Sequence, residues 1–259
     1  MKLALCNIPI IWERLDLNLE YCEKVCDTLQ NLDSGVELIL FPEFFTYGFT
    51  VDSSLCEVDN GDTLSWMKMS SERLNAAIYA SVPVKTESGL FNRGYFVKPD
   101  GKVINYDKRH LFSYGGEDKR FSPGEERVVV NHNGWRILLQ ICYDLRFPVW
   151  SRNINLDYDL ALNVASWPSS RSSVIRNLVA ARAIENQSFY AFLNRSGCDP
   201  LSDYSGESFI YSWSGDIIEP VLQYSELNIS LYEIKKEKLL SNRESFPAWR
   251  DADKFKIIK

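Results

Sequence analysis

The sequence predicts one α/β domain with mixed sheets, strands in the interior and helices outside. Three observations carry this. Apolar runs alternate with helical segments toward both ends of the chain, hairpin signals fill its middle, and no repeat, low-complexity tract or linker interrupts them. With 259 residues and 45% hydrophobic content, the chain can bury a substantial core without metals or disulfide staples. We read residues 1–259 as a single domain with a C-terminal extension from about residue 235.

Lys2 to Asn7 is the first expected strand. Asp16 or Asn18 can cap a helix whose apolar positions Cys22, Val25, Cys26 and Leu29 recur at helical spacing. Val36 to Phe41 reads as a second strand closed by Pro42-Glu43, Asp62 caps a helix over Thr63 to Asn75, and Ala77 to Val82 returns as a strand. Phe91 to Val97 and Lys102 to Asp107 flank Lys98-Pro99-Asp100-Gly101, a hairpin signal. Arg127 to Val130 and Trp135 to Gln140 form a second hairpin around His132-Asn133-Gly134, which assigns His132 to the turn and to no chemistry. A short helix follows Pro148, then a strand over Asp159 to Ala165. Ser172 caps a helix to Asn186 whose inward face is Val174, Leu178, Ala181 and Ile184. Ser188 to Asn194, Glu207 to Trp213, Ile217 to Leu222 and Asn228 to Ile234 complete the strands. A charged helix and Phe246-Pro247-Ala248-Trp249 close the chain, with the two aromatics expected to cover a surface of this subunit or a neighbour.

Several classes of function are excluded early. The formal net charge is -6 and no polybasic run exists, which argues against nucleic acid as a partner. No signal peptide and no apolar stretch of membrane-spanning length is read, so the expectation is a cytoplasmic protein with no membrane partner. Six cysteines without a CxxC pair, and only His110 and His132, suit neither a disulfide framework nor a zinc site, so no metal and no cofactor is expected.

Three apolar runs each end in a reactive group. Ile39-Leu40-Phe41-Pro42-Glu43 delivers a carboxylate among aromatics, where it is poorly solvated and suited to general-base work. Val103 to Lys108 delivers an ammonium that can hold negative charge developing on a substrate oxygen, together with the backbone N–H after a nucleophile. Ile137 to Cys142 delivers a thiol that becomes a nucleophile once deprotonated. Each alone has a plain structural reading: a small buried hydrophobe, a solvated loop acid, a surface lysine beside Arg109. If the three ends converge, they suit attack on an amide or nitrile carbon.

The blocks FPEFF (Phe41–Phe45), YDKRHLF (Tyr106–Phe112) and QICYDLRFP (Gln140–Pro148) resemble, in order, the three signature blocks of the nitrilase superfamily of carbon–nitrogen hydrolases. That resemblance implies Glu43 as general base, Lys108 as stabiliser of the tetrahedral intermediate and Cys142 as the thioester-forming nucleophile. It also implies Glu117 as a second glutamate that positions substrate and lysine. The fold it implies is a four-layer αββα sandwich of the nitrilase type, working as a homodimer. CYDLRFPVWSRN and NVASWPSSR resemble the omega-amidase branch, which hydrolyses the distal amide of short 2-oxo dicarboxylic acid monoamides such as 2-oxoglutaramate and 2-oxosuccinamate. Asn7 departs from the family's usual Gln at the end of the first strand, a difference for packing rather than chemistry.

A small-molecule amide with a carboxylate at its far end calls for a guanidinium. Arg171 is the candidate; Arg146 is the rival, with a structural ion pair, for example to Asp144, its preferred reading. Tyr143, Trp167 and Phe45 are candidate substrate-binding walls, with Phe44 and Tyr47 as further aromatics of the same kind. His110, two positions beyond Lys108, leaves open a Cys–His pair. The alternatives to an omega-amidase are another amide or N-carbamoyl amide hydrolase of the same superfamily, or a catalytically silent scaffold.

Overall fold

The strands at 160–165 and 189–194 are buried at every residue, so their sequences read as near-continuous apolar runs rather than alternations. In the computed structural model, which describes residues 1–32 and 34–257, the central strands form two stacked sheets. The first is built on a parallel trio, β1 (Lys2–Cys6), β2 (Leu38–Leu40) and β4 (Ala77–Thr86), with β3 (Glu57–Val58) also paired to β4. The hairpin β5 (Gly89–Val97) and β6 (Val103–Asp107) extends it antiparallel on one side. The second sheet is built on another parallel trio, β8 (Trp135–Ile141), β9 (Leu160–Ala165) and β10 (Phe189–Asn194), flanked by β7 (Val129–His132), β13 (Phe209–Tyr211) and β14 (Ile217–Ile218). Strands β15 (Leu222–Tyr224) and β16 (Ile229–Glu233) return to the open edge of the first sheet, where β16 pairs with β1.

The period-two alternation of β1 sorts its side chains between two layers. Leu3 and Leu5, with Leu38, Leu40 and Tyr79, join Leu139, Leu160 and Leu162 in the core between the sheets. Ala4, Cys6 and Ile39 point the other way, onto Cys22, Val25, Cys26 and Leu29 of α1 (Leu15–Asn31) and Leu64 and Met67 of α2 (Asp62–Leu74). On the far side, α4 (Ile175–Glu185) packs Ile175, Val179 and Ala183 into the core shared with the second sheet, beyond the one-turn helix α3 (Pro148–Ser151). Helix, sheet, sheet and helix are thus the four layers expected.

Several elements differ from the sequence reading. Neither Asp16 nor Asn18 caps α1: Asp16 pairs with Arg14 in the first turn, and Asn18 is a buried clamp holding Ile11 and the Thr46 carbonyl. The helix expected from Ser172 begins at Ile175, because Ser169–Val174 is a 3₁₀ turn with no serine cap. Its buried face is also rotated, leaving Ile184 49% exposed where a core position was expected. The run Ile217 to Leu222 is two strands in different sheets: Pro220 can donate no ladder hydrogen bond, and the chain crosses there from the second sheet to the first. The ribbon β11 (Ser196–Cys198) and β12 (Asp203–Ser205), rich in polar residues, was not expected at all. His132 lies at the end of β7, buried, with its ring at the Glu37 carbonyl, consistent with a structural role. At the C-terminus, α5 (Lys236–Ser245) is anchored through Asp159, whose carboxylate takes Lys236, Arg243 and Arg136 at 2.7 Å each. Of the two aromatics expected to cover a surface, Phe246 is 65% exposed and Trp249 is half-buried, lining a cavity with Arg152 to Asn155 of the same chain.

Candidate active site

The ends of β2, β6 and β8 meet beneath the cleft between the sheets' connections. β2 breaks at Pro42 into a turn in which Phe44 adopts a left-handed φ of 49°, its N–H donating to Ser81 Oγ at 3.0 Å. That turn directs Glu43 inward, fully buried. β8 breaks at Cys142, also left-handed at φ 42° and followed by a 3₁₀ turn through Arg146. A non-glycine residue in this region costs about 1–3 kcal/mol and persists only where its surroundings over-determine it. Here Asp144 does so: its carboxylate accepts from Ile141 N (3.0 Å), Tyr106 Oη (2.6 Å) and His110 N (3.0 Å).

Lys108 follows β6 and is buried between two acids. Its Nζ donates to Glu43 Oε1 at 2.7 Å and to Glu117 Oε2 at 2.8 Å. Glu117 is also fully buried and accepts from the Phe112 N–H at 2.6 Å. Glu43 Oε2 accepts from the Ser166 N–H at 2.9 Å, and the Ser166 hydroxyl donates back to the Glu43 carbonyl. The Cys142 thiol lies within hydrogen-bonding reach of the Glu43 carboxylate and the Ser166 N–H.

Charge sharing in this dry pocket sets the proton positions. Burial alone would pull the Lys108 ammonium down, but Glu117 and Glu43 outweigh it and hold its pKa well above the ordinary value. Burial raises Glu117 above the usual carboxylate range, with Lys108 opposing. Burial and then the Glu43 charge push the Cys142 thiol well up, against the pull of Lys108. The resting sulfur is therefore a thiol, and it needs an adjacent base at the moment of attack.

A cleft of about 250 Å³ opens onto Cys142. Of the expected substrate-binding residues, Tyr143, Trp167 and Arg171 line it; Phe45 does not. Phe45 is fully buried, stacked on Phe41 at 5.4 Å and against Trp66, because its position in the turn points it into the helical layer. Phe44 likewise packs on Phe121 and Phe49 rather than the cleft. Arg146 makes no ion pair among the described residues, contrary to its preferred reading, since Asp144 is engaged elsewhere; it lines the cleft with its guanidinium 5.0 Å from the Trp167 ring. The Arg171 guanidinium lies over Phe112 at 4.7 Å and Tyr114 at 5.6 Å, also without a carboxylate. The His110 ring is taken by Asp144 (Nδ1 to Oδ1, 2.8 Å) and stacks on Phe147 at 3.8 Å, which removes the geometric basis for a Cys–His pair.

Sequence reasoning missed Asn92, Ser166 and Asp144. Asn92 is fully buried on β5, and its Nδ2 donates to Glu43 Oε1 (2.8 Å) and Glu117 Oε1 (2.9 Å). With Arg93 beside it on a strand next to the sheet's edge, Asn92 carried no local signal in the sequence. Among the described residues no His, Cys, Asp or Glu cluster has the make-up of a metal site, and no helix is long and apolar enough to cross a membrane.

The chain resembles known proteins over nearly its whole length. Residues 2–243 match the family model for carbon–nitrogen hydrolases. The chain is 41% identical to the omega-amidase YafV of Escherichia coli over 258 residues, covering 99% of this chain and 98% of that one. It is 31% identical to a 2-oxoglutaramate amidase of Bacillus subtilis, over 84% of this chain and 85% of that one. Among solved structures, a CN-hydrolase superfamily protein from Xanthomonas campestris, with an arsenic adduct in its active site, superposes with a TM-score of 0.92 at 36% identity, covering 99% of this chain and 98% of that one.

Proposed function

The chain belongs to the carbon–nitrogen hydrolase family, and on that premise we propose that it is an omega-amidase, releasing ammonia from the distal amide of short 2-oxo dicarboxylic acid monoamides, 2-oxoglutaramate foremost. The observation that carries the reading is a buried Glu43–Lys108–Glu117 cluster in contact with a thiol at the floor of a cleft whose walls hold two guanidiniums free of carboxylate partners among the described residues. The relatives' names, omega-amidase and 2-oxoglutaramate amidase, agree with it.

In this reading Glu43 takes the Cys142 proton as sulfur attacks the amide carbon. The oxyanion forms beside the Lys108 ammonium, and the proton passes from Glu43 to the departing nitrogen, which leaves as ammonia. Water then attacks the thioester with Glu43 again as base, releasing the acid and returning the proton to sulfur. Arg171 takes the distal carboxylate, with Trp167 and Tyr143 as walls. The reading extends to a homodimer in the cytoplasm; exposed Val149, Ile184 and Leu240 on the outer helices support an apolar contact there.

The test is ammonia release from 2-oxoglutaramate beside succinamate, an N-carbamoyl amino acid and a simple nitrile. The oxo-acid amide is expected to be the preferred substrate. Arg171→Met should raise its KM by about 10–100-fold, the worth of a charge-assisted hydrogen-bonded pair, while leaving an uncharged amide unaffected. Equal loss on charged and uncharged amides would remove Arg171 from carboxylate recognition; preference for the N-carbamoyl compound would replace the substrate class.

A further inference from the structure

We propose that Asn92 is a positioning residue for the reaction: its side-chain amide orients Glu43 so that a single oxygen of that carboxylate is left to receive the thiol proton. The inference rests on Glu43 as the base. A carboxylate oxygen accepts about two hydrogen bonds. Oε1 of Glu43 already accepts two, from Asn92 Nδ2 at 2.8 Å and Lys108 Nζ at 2.7 Å. Oε2 accepts one, from the Ser166 N–H, and so has room for one more donor. Cys142 supplies it.

Asn92 serves the other acid as well, since its second N–H goes to Glu117 Oε1 at 2.9 Å. The two glutamates share a dry pocket with one lysine, so they repel each other, and an NH₂ group divided between them offsets that repulsion without adding charge. Its orientation is forced. Reversing the amide would set Oδ1 against two carboxylates, whereas the observed arrangement leaves only Oδ1 without a donor among the described residues. The backbone of the same residue fixes the third member, because the Lys108 N–H donates to the Asn92 carbonyl at 2.9 Å, one step beyond the Arg93–Asp107 pair of the β5–β6 hairpin. One position on β5 therefore sets the rotamers of two acids through its side chain and the start of the Lys108 segment through its main chain.

The isosteric Asn92→Asp variant is the decisive one, since it keeps shape and volume while replacing the NH₂ group by oxygen. A third carboxylate in the pocket favours protonation of the cluster. The acidic limb of the kcat profile should therefore move up by about one pH unit or more, and kcat at neutral pH should fall by about 10²-fold or more with KM within a few-fold. Asn92→Ala should lower kcat by about 10-fold or more and shift the same limb in the same direction. Amide hydrolysis by folded, circular-dichroism-matched protein is measured across pH, with Cys142→Ala as control. A structural role alone would reduce the fraction of active enzyme while leaving the limb in place, and an unmoved limb in Asn92→Asp overturns the proposal. If instead Cys142→Ala keeps wild-type turnover, it is the assignment of the reaction centre that fails.

Discussion

Cys142→Ala is expected to abolish amide hydrolysis, with kcat down by about 10⁴-fold or more, as is usual when a covalent nucleophile is removed. The fold should survive, because the left-handed turn that presents residue 142 is held by Asp144, through Ile141 N, Tyr106 Oη and His110, and not by the sulfur. Thermal melting and ammonia release on the same sample check both halves. Retained turnover would mean that the nucleophile lies elsewhere.

Lys108→Met should be nearly as damaging to activity and more damaging to stability. It removes the charge that faces the oxyanion, and it also leaves Glu43 and Glu117 buried together with no cation, a situation that costs about 3–5 kcal/mol. The pH dependence follows from Glu117, already raised by burial and held back by Lys108. Without the lysine it rises further. An acid whose folded pKa exceeds its unfolded one binds more protons in the native state, so its contribution favours the fold at low pH and is lost as pH rises through the folded pKa. The variant should therefore lose stability more steeply than the wild type as pH is raised above the unfolded carboxylate value of about 4.3. Denaturant melts across that interval measure it; parallel curves for the two proteins would contradict the role given to Lys108 in balancing the acids.

How much of this was legible in the sequence depended on whether a feature is local. The strand ends at Glu43, Lys108 and Cys142 could be read because each is an apolar run stopped by one polar group, and their convergence followed from the family resemblance. Phe45 was misassigned because an aromatic side chain next to a reactive group does not record which way it points, and the turn in which Phe44 takes a left-handed backbone sends Phe45 into the helical layer. Arg146 was misassigned because its expected partner, Asp144, is committed to Tyr106 and His110, more than 30 positions away in sequence, and to the nearby Ile141 N–H, and no local pattern records the distant contacts. The same holds for α4, whose buried face depends on how the preceding 3₁₀ turn rotates it. Asn92 stayed invisible for a related reason: its value lies in two acids 49 and 25 positions away.

The account turns on a thioester at Cys142. The most direct measurement is rapid acid quench of enzyme turning over 2-oxoglutaramate, followed by intact and peptide mass spectrometry. The prediction is an adduct equal to substrate less ammonia on the peptide containing Cys142, absent in Cys142→Ala. Ammonia release with no such adduct at any quench time, or an adduct on another cysteine, would contradict it.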